Sequence, residues 1–187
     1  MSNVGCRNFK YALLSQDDEK GVAYGEFVSV AGLNKIDIKP NSQSATNYGD
    51  NAPMESATAL GDIDVTIDLV NLPAKDQAAL LGHTLAADGS MTYASTDVAP
   101  YVCVMFSGTK ASGKERHAKI LKIRFQESED SYETQEQSPK FKNPQISGKA
   151  VVRTFDHSWK RTLDEDETGA TADVVSKFLA TVEPVKA

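Results

Sequence analysis

Residues 61–70 read GDIDVTIDLV, and this stretch decides the fold class. Ile63, Val65, Ile67 and Leu69 alternate with Asp62, Asp64, Thr66 and Asp68. Successive side chains of a strand point to opposite faces, so one face here is aliphatic and the other carries three carboxylates. The aliphatic face needs a core. Three uses stay open for the carboxylate face: a divalent-metal site, an ordinary solvated surface, or a surface with a task. Neighbours on one face of a strand lie about 7 Å apart, so a single ion cannot take all three without help from elsewhere.

Working outward, other strands are legible on both sides. NFKYALLS at 8–15 and YGEFVSVAG at 24–32 precede NKIDIKP, where Pro40 predicts a strand end or a sheet edge. PYVCVMFSG at 100–108 reads as a buried run, and TKASGKE at 109–115 as the loop of a hairpin. In the returning strand the apolar phase slips by one residue at Ile120 and Leu121, which predicts a β-bulge there. PQISGKAVVRTF and HSWKRTL supply further strands.

Two short helices are expected. Pro73 suits a first helical turn and Gly82 a stop, with Ala78, Leu80 and Leu81 on the apolar side. Val174, Val175, Phe178, Leu179 and Val182 share one helical face in a segment at about 172–182. Seven or more strands without a βαβ rhythm make a mainly β fold, a sandwich or barrel with helices at its margin. Residues 41–60, rich in Ser, Asn, Ala and Thr, read as a long polar loop.

Composition narrows function. With 187 residues and 40% hydrophobic content the chain can bury a sizeable core, and its formal net charge of -6 argues against gripping a nucleic-acid backbone. There is no apolar run of bilayer length, no secretory-signal pattern and no N-x-[ST] sequon. Cys6 and Cys103, with no CxxC, read as free thiols.

Catalytic and cofactor motifs fail on inspection. GTKASGKE at 108–115 matches GxxxxGK but has Glu115 where a P-loop needs Ser or Thr, and a strand follows it. DEDETG at 164–169 begins like a calcium loop, yet its twelfth position is Val175, so a solvated acidic loop is expected. His83, His117 and His157 show no metal-ligand spacing, and no GxSxG elbow exists. No catalytic residue, metal ligand or cofactor is expected.

Ordered blocks carry a resemblance. NVGCRNFKYALLSQDDEKGVAYG, PNSQSATNYGDNAPMESATALGDIDVTIDLVNLPAKDQAALLGH, APYVCVMFSG and YETQEQSPKFKNPQISGKAVVR, together covering about residues 3–165, resemble major tail proteins of long-tailed bacteriophages of Gram-positive bacteria. The resemblance implies a single tail-tube domain over 1–187, without the additional immunoglobulin-like domain of some members. It implies hexameric rings stacked head to tail, with genomic DNA passing through the lumen without specific binding. Tape-measure and tail-terminator proteins become expected partners, no membrane is involved, and the site is the virion tail, assembled in the host cytoplasm. On this reading Asp62, Asp64 and Asp68 face the lumen, where carboxylates keep DNA from sticking.

A rival arrangement pairs those carboxylates with Lys122 and Arg124, and the two stay open. Asn41, Tyr48, Asp50 and Met54 in the 41–60 segment, Lys110 and Lys114 in the hairpin, and the acidic stretch 126–138 are candidates for contacts between subunits. A flexible surface loop is the plain alternative for 41–60. The alternative function is a β-sandwich adhesion or carbohydrate-binding module, for which Trp159 and a few tyrosines are the available aromatic platform.

Overall fold

The computed structural model describes residues 3–49, 52–127, 134 and 143–182. In chain order the elements are β1 (Asn3–Asp18), β2 (Gly21–Tyr24), β3 (Val28–Ser29), β4 (Leu33–Gly49), β5 (Ala52–Leu69), α1 (Ala74–Leu81), β6 (Thr84–Leu85), β7 (Met91–Thr92), β8 (Tyr101–Lys110), β9 (Glu115–Gln126), β10 (Gln145–Ala150), β11 (Lys160–Asp164) and α2 (Ala172–Ala180). The fold is mainly β with two short helices.

One antiparallel sheet runs β2-β1-β8-β9-β10-β5-β4, with β11 also on β9 and β3 also on β1. It curls so that its ends approach: the Cys6 thiol of β1 donates to the Asn34 carbonyl of β4 at 3.3 Å. The interior of the curl is the core. Ile63, Val65, Ile67 and Leu69 of β5 meet Val102 and Val104 of β8 and Ile120, Ile123 and Phe125 of β9, all at most 1% exposed. Each such side chain contributes about 1.5–3 kcal/mol on burial. The alternation of 61–70 thus does what it predicts.

α1 closes the core from one side. Leu80 and Leu81 enter the apolar cluster, and the buried Asp76 accepts a 2.8 Å hydrogen bond from the Tyr11 hydroxyl. Gly82 ends the helix at φ +81, where an added Cβ would lie 2.4 Å from the Val98 carbonyl oxygen, so only glycine fits.

The bulge falls where the phase slip puts it. Val102 pairs with Ile123 and Val104 with Ile120, so two steps on β8 meet three on β9. Ile120 and Ile123 both reach the core, while the Leu121 amide donates to the Trp159 carbonyl instead. β8 and β9 are therefore buried on both faces. Their second face, with Cys103, Met105, Ser107, His117, Lys119 and Leu121, lies away from the apolar cluster and is also at most 1% exposed.

The 41–60 segment is not a loop. β4 and β5 continue through it as a ladder, from Ser42 opposite Leu60 to Gly49 opposite Ala52. Its described side chains, Ser42, Gln43, Ser44, Thr46, Thr58, Ala59 and Leu60 among them, are exposed on both faces. With neither face buried, no apolar period of two is written into the sequence, which is why it reads as irregular. Pro40 does not stop β4 but sits within it, at a sheet edge. Just beyond, Pro40 pairs with Ile63 and Ser42 with Leu60, a bulge that separates the body of the ladder from its arm.

Candidate functional site

Cross-strand pairing assembles the outer face of the curl. Lys39 of β4 lies opposite Asp64 of β5, Asp64 opposite Lys149 of β10, Lys149 opposite Arg124 of β9, and Arg124 opposite Tyr101 of β8. Two rows further, past Asp37 opposite Thr66, Lys35 lies opposite Asp68. The Lys149 amine donates to Asp62 at 2.6 Å, which raises its pKa, and Asn41 donates to Asp64 at 3.0 Å. The three aspartates share a face, as their spacing predicts, but they are not a bare carboxylate stripe. A single strand displays only its own charges; Lys35 and Lys39 come from the preceding strand and Lys149 from 87 positions beyond its partner Asp62.

Within the chain, Lys122 and Arg124 do not pair with the three aspartates directly. Arg124 stands in the aspartate row with Lys149 between them, and its guanidinium stacks 4.0 Å from the Tyr101 ring centre. Lys122 turns to Asp17 of β1, at 2.6 Å. Asp17 is buried, which pushes its pKa up, yet Lys122 and the Thr154 and Phe155 amides outweigh that and hold it below the usual carboxylate range.

At the β8–β9 turn, Lys110 and Lys114 differ. Lys114 is exposed. Lys110 is 4% exposed and held by Asp166 at 2.8 Å and Asp164 at 3.3 Å, so it is not available to a neighbouring subunit. Asp164 also takes both arms of Arg116, and that bond above all lowers its pKa to about 2. The 164–169 carboxylates expected to be solvated thus include two that clamp β11 to the hairpin. Of the arm candidates, Tyr48 and Met54 lie in the ladder, and Asp50 lies outside the described residues. The acidic stretch is described only at Gln126, Glu127 and Thr134.

The second face of β8–β9 holds a grouping that sequence spacing hides. Ser107 Oγ lies 2.8 Å from His117 Nδ1, and Glu165 Oε1 lies 3.3 Å from His117 Nε2. Glu115, His117 and Glu165 bring ligand-type atoms within 4.8 Å of one another. The Glu115–x–His117 spacing on a strand is the only local signal, and Glu165 arrives through β11. Its serine and histidine are shut off from solvent: Ser107 is 0% and His117 1% exposed, while the Glu115 amide donates to the partly exposed Glu165 at 3.0 Å and Glu115 meets the Arg7 guanidinium. A seryl oxygen with no access to solvent attacks nothing, and cationic Arg7 offsets one of the two carboxylates. It is a buried polar network.

Both cysteines are free, and burial pushes the Cys103 thiol up to about 12. Among the described residues no helix is long and apolar enough to cross a membrane. No protein-family model matches this chain, and no curated protein matches it.

Proposed function

We propose that this chain is a self-assembling structural protein, the tail-tube subunit of a long-tailed phage, polymerising as stacked hexameric rings around a conduit for DNA. The observation that carries the reading is the β4–β5 arm. About eight residue pairs beyond the bulge, at about 3.3 Å each, project roughly 26 Å with described side chains exposed on both faces. Ordering that much backbone costs free energy which burial in the isolated chain does not return. A neighbouring copy supplies the missing surface, and the resemblance of the ordered sequence blocks to major tail proteins supports the same reading.

The outer face of β4, β5, β10 and β9 is then the candidate bore surface. Its aspartates 37, 62, 64 and 68 are matched by Lys35, Lys39, Lys149 and Arg124. Balanced charge gives phosphates no net grip to release, so DNA slides by neutrality rather than by repulsion. Electron microscopy of the concentrated protein tests the reading. Rings or hollow tubes are expected; dispersed monomers at all concentrations overturn it.

A further inference from the structure

His83 stands just past the C-terminal end of α1, its amide donating to the Ala78 carbonyl at 3.0 Å. α1 has no basic residue in its last turn, so His83 is the first side chain there able to set positive charge against the helix dipole. The imidazole is 3% exposed and joins the end of α1 to two other segments. Nδ1 meets the Asp97 carboxylate at 2.8 Å, and the Tyr93 ring packs on the imidazole with centres 4.4 Å apart. Nε2 lies 2.5 Å from Oε1 of Glu127, the first residue past β9. Among the described residues, the charged groups within ion-pair distance of the ring are these two carboxylates.

The two contacts differ in what holds them. Asp97 is fixed from both sides, since its Oδ2 also accepts from the Ala94 amide at 2.9 Å. The Glu127 carboxylate is 59% exposed, and His83 is its one partner among the described residues. The Nε2 contact is close but not aligned as a hydrogen bond, so charge carries it. An imidazolium has two N–H groups and serves both carboxylates; a neutral imidazole keeps one. Kept on Nδ1, that proton preserves the aligned bond to Asp97. Nε2 then turns a lone pair toward a carboxylate oxygen, and water takes over the exposed Glu127.

We propose that His83 is a proton-operated clip: charged, it ties the end of β9 to the 93–97 turn through Glu127 and Asp97; neutral, it keeps Asp97 and releases Glu127. The pH range follows from the same contacts. The Asp97 bond raises the pKa of His83, burial opposes it, and the Glu127 charge adds to the rise, so the ring stays charged above its ordinary value of about 6.5. A raised folded pKa stabilises in full below the unfolded value, and that contribution fades as pH climbs through the folded one. The clip is therefore closed in mild acid and opens on the alkaline side of the ordinary histidine range. It does not depend on the tube-subunit reading, because every group in it belongs to one chain.

NMR on the isotopically labelled chain, kept dilute enough to be monomeric, tests the clip in two ways. Imidazole nitrogen shifts followed against pH give the midpoint and tautomer of His83, and amide relaxation at Glu127 gives the order of the β9 end. Expected are a midpoint above the ordinary histidine value, an Nδ1–H tautomer in the neutral form, and a loss of order at Glu127 across the same midpoint. Glu127→Gln is expected to lower the midpoint and to abolish the pH-dependent change at position 127. Asp97→Asn is expected to lower the midpoint further. Glu127→Gln removes an exposed charge and leaves the core untouched, so it decides the matter even where Asp97→Asn fails to fold. An Nε2–H tautomer at high pH, a midpoint no higher than the ordinary value, or order at Glu127 that stays flat through the His83 titration overturns the clip. So does a Glu127→Gln midpoint equal to that of wild type.

Discussion

The two halves of the β4–β5 ladder share a backbone pattern and differ in what holds them. Below the bulge, Ile36, Ile38, Ile63, Val65, Ile67 and Leu69 pack on or in the core. Above it, the described side chains are exposed on both faces. The lower half is stabilised by desolvation, while the described side chains of the arm stand in water and its ladder hydrogen bonds are each of small net worth there. Burial therefore anchors one end of an element whose other end is free to meet a partner.

The largest effect separates the halves outright. Ile67→Ala is expected to cost about 2–5 kcal/mol in urea unfolding, since it empties a fully buried site. Thr46→Ala on the arm is expected to stay within about 0.5 kcal/mol in the same measurement. Comparable losses would break the distinction between an anchored and an unpartnered half.

The joint between them is the next target. An added Cβ at Gly61 would come 2.9 Å from the Asn41 backbone oxygen, and backbone gives little. Gly61→Ala is expected to cost about 1–3 kcal/mol and to re-aim the arm. Sedimentation should then show weaker self-association than the stability loss alone produces. If association follows stability across a set of body mutants including this one, the arm's direction does not matter.

These contrasts also explain what the sequence could convey. The body half was legible because burial on one face writes a period of two into 61–70. The bulge at Ile120 and Leu121 was legible because a strand buried on both sides shows its slip in phase. The arm was not, because exposure on both faces leaves composition free. Nor was the charge arrangement: Lys110 meets Asp166 across 56 positions and Arg116 meets Asp164 across 48, so a run that looks solvated in sequence is a clamp in space. The Ser107–His117–Glu165 network was hidden for the same reason, since spacing rules see only contacts local in the chain.

That clamp gives a pH-dependent contrast with the body's apolar anchoring. The pKa of Asp164 is lowered in the folded state to about 2, so its contribution is complete above about pH 4 and is lost as pH falls through about 2. Asp164→Asn is expected to cost about 1–2 kcal/mol at pH 7, with the difference from wild type shrinking toward pH 2. The Ile67→Ala penalty should stay flat over the same range. An Asp164→Asn penalty that persists undiminished at pH 2 would show that the β11 contact is held by packing, not by the carboxylate.

The smallest effect belongs to the outer face. Lys149 is half-exposed, so its bond to Asp62 is screened by solvent and exchanges readily for water. Lys149→Gln is expected to leave the urea midpoint at the wild-type value, at low and high salt alike. Its consequence lies in charge balance, because Asp62 and Asp64 lose the cation that neutralises them from β10. If the midpoint instead falls as far as it does for Asp164→Asn, the lower half of the ladder depends on its outer charges as well as its buried face. The arm would then differ from the body in both, and a partner surface for the arm would have to supply countercharge in addition to apolar contact.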